Sequence, residues 1–411
     1  QPWSNGRVGM FGKSYDGETQ QSTATLAPPH LVTIVPVSSV AGQYDYSYYD
    51  GVPYTLQTML SNVFYAQGDG LQPATGAQAQ AHFPERVGCH AAHFAQGFDD
   101  SGDWSPYWEE REFRKRAENV TASVLYVHGL QDWNVKPSNV RDWFENLDVP
   151  KMALLGQWAH DYPEANNVHG NWSRHDWQEL VWRWYDHWLL GRDTGVEELL
   201  GQVQIQDTSG RWRVERAFPP ASTPRAFFLA GDALADAPAD APARSYAEPL
   251  VPNPFETIGP LPRAGVAYES AALPATLHWS GWPTLALNAS LDKPDAHFAV
   301  HLLDVAPDGS AQWVARGYLS ARHRDGVEAP SDVPTGSDIS YQIRFFPGDV
   351  VVEAGHRLRL SIMPADDWAS GAGNGATVAI SGGVLTLPLV DPPAEAFFEP
   401  PTGDPITEPV T

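Results

Sequence analysis

The chain has 411 residues, with 50 acidic and 26 basic side chains and a formal net charge of −24. This balance argues against a nucleic acid or an anionic membrane surface as partner, because both are bound through clustered lysine and arginine. The sequence has no apolar run of about 18 residues that could span a bilayer. Its single cysteine, Cys89, excludes an intrachain disulfide. The length and the hydrophobic content of 42% predict two or three domains with substantial cores.

The first 200 residues alternate apolar, strand-like runs with helical patterns. The predicted strands are Arg7–Phe11, Leu31–Val37, Ala122–Val127 and Met152–Leu155. The predicted helices are Glu18–Leu26, Ser138–Leu147 and Asp176–Leu190. Strands that alternate with helices are typical of a parallel sheet covered by helices, so residues 1–200 are predicted to form an α/β domain.

Residues 50–118 interrupt this alternation. The stretch is first rich in Gln, Ala and Gly, and then aromatic and charged. An insertion of this length between two core strands is typical of a cap over a functional site. A helical buttress with no role in the site is the alternative interpretation.

From about residue 200 the pattern changes to short alternating runs separated by Gly, Pro and Asp. These runs are Val203–Gln206, Ala275–Trp279, Thr284–Leu291, Ala299–Val305, Ile339–Phe346, Arg357–Met363 and Ala376–Ile380. They predict an all-β sandwich or jelly roll over residues 201–411. The acidic, Pro/Ala-rich segment Ala233–Ala243 is predicted to be a surface loop or tether.

A candidate nucleophile lies in the sequence RVGMFGKSYDG, residues 7–17. A short apolar strand runs into a turn at Ser14 and a helical segment follows, which is the setting of a nucleophile elbow. The usual pattern is G-x-S-x-G, whereas here Asp16 stands two residues after the serine and Gly17 comes one later. By itself the motif also fits a plain strand-to-helix loop.

The order of residues along the chain strengthens this hypothesis. An α/β-hydrolase places an acid and then a histidine after the serine, each just past the end of a later strand. Asp132 follows the third predicted strand, and His160 follows the fourth. Ser14, Asp132 and His160 are therefore predicted to form a catalytic triad. His128, which lies in the turn right after its strand, is interpreted as structural.

Cys89, His90 and His93 have a spacing that resembles a metal site. No second ligand cluster completes such a site in the sequence. We therefore predict a hydrolase that uses neither a metal nor a cofactor.

Three stretches carry a resemblance to a known family: GKSYDG at 12–17, HGLQDWNVKP at 128–137 and GQWAH at 156–160. Together they resemble the X-prolyl dipeptidyl-peptidase family of serine peptidases, whose relatives include cocaine-esterase-type and α-amino-acid ester hydrolases. YWEER at 107–111 and SGWPTLALNASLD at 280–292 are also similar, so the resemblance covers most of the chain. It implies an α/β-hydrolase fold with a helical cap, followed by a β-sandwich domain.

The resemblance implies release of N-terminal X-Pro dipeptides through an acyl-enzyme, with Ser14 as nucleophile, Asp132 as orienting acid and His160 as general base. The backbone N–H of Tyr15 would donate to the oxyanion. In this family the second oxyanion donor is a tyrosine hydroxyl well before the nucleophile, and the first strands of the sheet also lie there. We therefore expect a second polypeptide, made by cleavage of a precursor, to complete the sheet.

Aromatic and apolar residues near the triad are predicted to bind the substrate. The resemblance favours Tyr46 and Val135 as walls of the proline pocket, and Tyr44 and Trp133 are further candidates. Packing of the tyrosines in the protein core is the alternative.

The substrate's α-ammonium group requires an anion. Glu109 and Glu110 are candidates, and a solvated helix face is the alternative for both. Peptidase relatives tend to carry a tryptophan near Gln43, where this chain has an amide, which leaves room for other acyl groups. The alternative function is accordingly a cocaine-esterase-type or α-amino-acid ester/amide hydrolase, and a non-catalytic β-sandwich binding module is a remote one. The expected partner is a peptide or small acyl substrate. Homo-oligomerisation stays open, and secretion is slightly favoured over the cytoplasm.

Overall fold

The computed structural model describes residues 2–54, 77–97, 101–164, 174–250, 265–369 and 373–401. Its α-helices are α1 Tyr15–Ala24, α2 Gln43–Ser47, α3 Ala77–Ala81, α4 Phe83–Gly97, α5 Pro106–Glu110, α6 Asn139–Phe144 and α7 Trp177–Leu190. Short 3-10 helices cover Arg114–Asn119, Val196–Leu199, Ala321–His323 and Ala394–Ala396. No helix within these ranges is long and apolar enough to cross a membrane.

The strands divide into an earlier and a later group. The earlier strands are β1 Val8–Lys13, β2 Leu31–Val37, β3 Tyr48–Tyr49, β4 Val52–Pro53, β5 Ser123–Gly129, β6 Lys151–Gly156, β7 Val203–Gln206 and β8 Trp212–Glu215. The later strands are β9 Thr223–Ala230, β10 Ala233–Ala235, β11 Arg244–Ala247, β12 Val266–Ser270, β13 Leu277–Gly281, β14 Thr284–Leu291, β15 His297–Val305, β16 Ala311–Ser320, β17 Ile339–Arg344, β18 Gly348–Val352, β19 Arg357–Met363, β20 Thr377–Leu389 and β21 Phe397–Phe398.

The first sheet contains seven strands in the order β1-β2-β5-β6-β7-β8-β21. Pairing is parallel from β1 to β7 and antiparallel from β7 to β21. Its central strands are buried on both faces, which is why they appear in the sequence as continuous apolar runs. One face packs against α6 through Val140, Trp143 and Phe144, and the other packs against α7 through Leu180 and Trp184.

This architecture confirms the predicted α/β-hydrolase fold, and β2 has the predicted bounds. One strand assignment is wrong: Val203–Gln206, predicted as part of the sandwich, is β7 and pairs with β6 in the first sheet. An alternating pattern identifies a strand but carries no information about which sheet accepts it. The first sheet therefore draws strands from beyond residue 200.

The later strands form a 12-stranded, almost entirely antiparallel sheet that folds around one core. The long strand β20 pairs with β9, β11, β13 and β14, and so connects the layers of this domain. Fully buried side chains such as Trp279, Phe298 and Leu385 fill the core. The domain confirms the predicted C-terminal β-sandwich. In the segment 233–243, which was predicted to be a surface loop, Ala233–Ala235 form the short strand β10 and the remaining residues belong to neither a helix nor a strand.

The insertion at 50–118 is described in part, because residues 55–76 and 98–100 lie outside the described residues. Its first element is the β3–β4 hairpin, whose aromatic residues pack on the β domain. The Tyr49 ring lies 4.9 Å from that of Phe346, and the Tyr54 ring lies 5.8 Å from that of Trp368. This part of the chain therefore packs against the β domain.

A buried polar network also joins the two halves. Arg213 of β8 donates to both carboxylate oxygens of Asp349 on β18, at 2.8 and 2.5 Å, and both side chains are fully buried. Gln157, which follows β6, donates to the carbonyls of Gln206 and Asp349 at 2.8 and 3.2 Å. The β domain is thus hydrogen-bonded to the loop that carries His160.

Candidate active site

The candidate nucleophile Ser14 occupies the sharp turn between β1 and α1. Its backbone has φ 62° and ψ −124°, a conformation that a residue with a side chain adopts only when its surroundings enforce it. The Ser14 N–H donates to the Val37 carbonyl at 2.9 Å, and the Ser14 carbonyl accepts from the N–H groups of Gly17 and Glu18. These bonds fix the serine between the end of a strand and the first turn of a helix.

Two glycines make this turn possible. A Cβ at Gly12 would lie 2.5 Å from the Cβ of Asp16, and a Cβ at Gly17 would lie 2.5 Å from the Cβ of Ser39. Both contacts are closer than real side chains tolerate. The offset of the second glycine to three residues after Ser14 therefore places it where helix α1 approaches the loop after β2.

Asp132 lies in the loop after β5 and is completely buried. Its Oδ1 accepts hydrogen bonds from the backbone N–H groups of Asn134 and Val135, at 3.1 and 2.8 Å. These bonds orient the carboxylate and leave Oδ2 directed at His160.

His160 lies in the loop after β6, and its Nδ1 is 2.8 Å from Asp132 Oδ2. An Nδ1–H that donates to this carboxylate leaves Nε2 unprotonated in the neutral ring, ready to act as a base. Lys13, next to Ser14, donates to the His160 carbonyl at 3.3 Å and lies 3.5 Å from the Asp161 carboxylate. The histidine loop is thereby tied to the residue that precedes the nucleophile.

His128 has a structural environment, as the sequence predicted. It is fully buried, and burial lowers the pKa of its imidazole. Its Nε2 donates to the Val135 carbonyl at 2.8 Å, and its Nδ1 accepts from the Tyr126 hydroxyl at 3.1 Å. Both ring nitrogens of this neutral histidine are therefore occupied, and the ring supports the loop that carries Asp132.

The predicted substrate-binding residues fall into different environments. Tyr46 is half-buried, and burial together with the charges of Asp132 and Glu18 raises its pKa to about 12. Trp133 is half-buried beside the acid, where the Arg316 guanidinium stacks 4.2 Å from the centre of its ring. Val135 is buried, with its backbone engaged by Asp132 and His128.

Tyr44 packs among other aromatic residues and does not line an open pocket. It is buried, its hydroxyl donates to the Gly102 carbonyl, and its ring lies 5.1 Å from that of Tyr48 and 5.2 Å from that of Trp104. The aromatic cluster around its side chain favours the packing alternative for Tyr44.

Glu109 and Glu110 are exposed at the end of α5. Glu109 pairs with Lys115 at 2.8 Å, and Glu110 pairs with Arg111 at 3.3 Å. The structure therefore contains the charged helix face that was the alternative interpretation for both residues. The predicted role of these carboxylates in ammonium binding has no support from their placement.

Two buried ionisable residues near the site, Lys136 and Glu18, were not predicted from the sequence. Lys136 donates to the carbonyls of Asp45 and Tyr46, the latter at 3.0 Å, and burial lowers its pKa to about 7. Glu18 accepts a 2.6 Å hydrogen bond from Gln43 Nε2 and is 7% exposed. Their positions in the sequence could have indicated both residues, because Lys136 lies within HGLQDWNVKP and Glu18 comes four residues after Ser14.

One group within the described ranges has the composition of a metal site: Asp207, His278 and Asp349, whose ligand atoms lie within 4.8 Å of one another. The Arg213 guanidinium already donates to both oxygens of Asp349, and His278 Nε2 lies 2.7 Å from one of them. A cation of the protein thus balances this carboxylate, and the group belongs to the network between the two halves.

Two family models match the chain. X-Pro dipeptidyl-peptidase (S15 family) matches residues 1–162, and the X-Pro dipeptidyl-peptidase C-terminal non-catalytic domain matches residues 194–378. A relative from Bacillus anthracis is 27% identical over 407 residues, which cover 94% of this chain and 64% of the relative. The Xaa-Pro dipeptidyl-peptidase of Lactiplantibacillus plantarum is 32% identical over 215 residues, which cover 50% of this chain and 25% of that protein. The chain spans 64% of the length of the first of these relatives.

Solved structures share the fold across both domains. An aminopeptidase from a marine sediment archaeon, Thaumarchaeota archaeon, superposes with a TM-score of 0.74 at 16% identity, over 95% of this chain and 77% of that one. A CocE/NonD family hydrolase from Staphylococcus aureus has a TM-score of 0.72 at 14% identity, over 95% and 73%. An α-amino acid ester hydrolase has a TM-score of 0.70 at 19% identity, over 94% and 77%.

The fold and the family models define the class, a serine hydrolase of the α/β type with a C-terminal β domain. Within that class, the chain matches the models of both the catalytic and the C-terminal domain of the X-Pro dipeptidyl-peptidase (S15) family.

Proposed function

We propose that this chain carries the catalytic machinery of an X-Pro dipeptidyl-peptidase, with Ser14, Asp132 and His160 as its triad. The observation that carries the proposal is the 2.8 Å hydrogen bond between His160 Nδ1 and the buried Asp132 carboxylate. Ser14 occupies the strained elbow at the same carboxyl-terminal edge of the parallel sheet. The matches to the two X-Pro dipeptidyl-peptidase family models support the same assignment.

The chemistry follows from these positions. His160 Nε2 accepts the Ser14 hydroxyl proton while Oγ attacks the substrate's carbonyl carbon, and the Asp132 carboxylate stabilises the imidazolium that forms. The N–H of Tyr15, in the first turn of α1, is proposed to donate to the oxyanion. His160 then protonates the leaving amine, and water hydrolyses the acyl-enzyme by the same route.

We place the acyl pocket beside Tyr46, with Trp133 and Val135 of the acid loop as neighbouring walls. Tyr46 is half-buried and within electrostatic reach of Asp132. Lys136 holds the Tyr46 carbonyl at 3.0 Å and thereby couples this wall to the loop after β5. The described part of the 50–118 insertion is proposed to cap this pocket.

Activity-based labelling tests the nucleophile directly. A fluorophosphonate probe is expected to form an adduct that peptide mapping assigns to Ser14, and Ser14→Ala should lower kcat by about 10⁴–10⁶-fold. Ser22→Ala, which removes a hydroxyl two turns along the same helix, is the matched control and should label normally. Retention of most activity by Ser14→Ala would overturn the proposal.

A second candidate, an ester or amide hydrolase with the same triad, is favoured by one observation. Gln43 donates to Glu18, so the region where peptidase relatives tend to carry a tryptophan is polar here. A panel that compares Ala-Pro-p-nitroanilide with short aryl esters separates the two functions. A kcat/KM that is higher for the esters by orders of magnitude would favour the second candidate.

We further propose that another polypeptide covers the edge strand β1. Within the described residues β1 pairs with β2 alone, and Val8 and Phe11 are 50% and 47% exposed. An open parallel edge with apolar side chains is prone to pair with further strands. Denaturing gels and native mass spectrometry of the active enzyme should reveal a second polypeptide. A single active species with the mass of this chain alone would contradict the idea.

A further inference from the structure

Glu18 is a buried acid without a counter-ion. The residue is 7% exposed, and its Oε1 accepts a 2.6 Å hydrogen bond from Gln43 Nε2. No Lys, Arg or His nitrogen of the described residues lies within 4 Å of its carboxylate, whereas the neighbouring acids Asp45 and Glu112 both pair with Arg114. A buried carboxylate usually has a cation or several donors, because the loss of hydration is otherwise costly.

The position of Glu18 relates this carboxylate to the reacting atoms. Glu18 comes four residues after Ser14, and its backbone N–H donates to the Ser14 carbonyl at 3.0 Å, so the two residues lie about one helical turn apart. The charge of Glu18 also contributes to the raised pKa values of Tyr46 and Tyr107. The carboxylate is therefore within electrostatic reach of Tyr46, a wall of the proposed acyl pocket.

The separation of about one helical turn between Ser14 and Glu18 suits a short acyl group. Two extended residues span at most about 7 Å, so the amino group of a dipeptidyl unit attached to Ser14 can lie about one helical turn from the nucleophile. A third residue would carry the amino group beyond that range. A primary ammonium has three donors and a compact charge, which complement a carboxylate that has one hydrogen bond.

We infer that Glu18 binds the primary ammonium group of the substrate's acyl half and is thus a specificity-determining residue of this enzyme. The inference rests on the proposed acyl transfer at Ser14. Gln43 orients the carboxylate by donating to Oε1. Glu18 takes the role for which the sequence suggested Glu109 and Glu110, which are exposed and paired with Lys115 and Arg111.

A matched pair of substrates isolates the ammonium. Ala-Pro-p-nitroanilide and propionyl-Pro-p-nitroanilide differ only in the amino group, so the ratio of their kcat/KM values measures its recognition. Glu18→Gln keeps the shape and an acceptor for Gln43 but removes the charge. We expect the ratio to favour the alanyl substrate in the wild-type enzyme and to fall by about 10- to 100-fold in Glu18→Gln, the value of one charged hydrogen bond.

The control is Glu118→Gln, which neutralises an exposed carboxylate outside the site and should leave the ratio unchanged. If Glu18→Gln lowers kcat/KM for both substrates by the same factor, Glu18 only ties α1 to α2 and the inference is wrong. Fluorophosphonate labelling at Ser14 in each variant verifies that the site is folded when this comparison is made.

Failure of the proposed function has a different signature. If the enzyme is labelled at Ser14 but cleaves neither proline substrate, the same comparison is made with aryl esters of 2-aminobutyrate and butyrate. A ratio that falls in Glu18→Gln there supports the role of Glu18 while the peptidase assignment fails. An unchanged ratio overturns the role of Glu18, and absence of labelling at Ser14 overturns both.

Discussion

Neutralising Glu18 should stabilise the protein at neutral and alkaline pH. Burial raises the pKa of Glu18 from 4.5 to about 7, against the opposing effect of the Gln43 hydrogen bond. The rise corresponds to about 3 kcal/mol, since one pKa unit is worth about 1.4 kcal/mol. Glu18→Gln removes the cost of ionising a buried group, and its amide oxygen can still accept from Gln43.

The sign depends on pH. Between about pH 4.5 and 7 the unfolded chain has lost the Glu18 proton while the folded chain retains it, so the wild-type protein loses stability as pH rises through this window. The Gln variant does not titrate at this position. The free energy of unfolding of the variant should therefore rise relative to that of the wild type from pH 4.5 to 7. Above that range it should remain about 3 kcal/mol higher.

Urea unfolding midpoints of the wild type and Glu18→Gln, measured from pH 4 to 8, provide the test. The two midpoints should differ little at pH 4, and that of the variant should be higher at pH 8. Glu118→Gln, at an exposed position, serves as control and should follow the wild type. If Glu18→Gln follows the wild type at every pH, or unfolds earlier at pH 8, then Glu18 has a compensating partner and the reasoning fails. The expected gain in stability beside a loss of substrate discrimination is typical of residues kept for function.

Two further predictions concern the elbow and the domain junction. Gly17→Ala places a methyl group 2.5 Å from Ser39 Cβ, so Ser14 should shift and kcat should fall by about 10²-fold in a chromogenic assay. Gly88→Ala, where the added Cβ meets nothing within 4 Å, is its control, and equal activities would contradict the steric explanation. Arg213→Ala leaves the buried Asp349 carboxylate without its guanidinium and should cost about 3–5 kcal/mol in chemical denaturation. Arg225→Ala breaks the exposed pair with Asp236 and should cost at most about 1 kcal/mol; a similar loss in both variants would refute the distinction.

The sequence was most informative where a local pattern reflects a local cause. Strands buried on both faces need continuous apolar runs, so β2 was found at its observed bounds. Loops after parallel strands meet at one edge of the sheet, so the order of Ser14, Asp132 and His160 along the chain was enough to predict their common edge. The bond between His160 and Asp132 agrees with that expectation.

The tertiary structure decided which side chains face the site. Tyr44 and Tyr46 are two residues apart with similar chemistry, yet Tyr44 is enclosed by Tyr48 and Trp104, while Tyr46 is only half-buried beside the acid loop. The sheet that accepts β7 was likewise undetermined, because strand pairing depends on partners far along the chain.

The charge balance of the chain shows the same difference between what the sequence and the tertiary structure determine. The excess of acidic side chains, 50 against 26 basic ones, argues against nucleic acids and anionic membranes as partners, but it could not tell which carboxylate has a function. Glu109 and Glu110 have lysine and arginine neighbours on the surface, whereas Glu18 is buried with one amide donor from a residue 25 positions away. Charge is a property of composition, but the cost and use of a charge depend on burial and partners, which only the folded chain brings together.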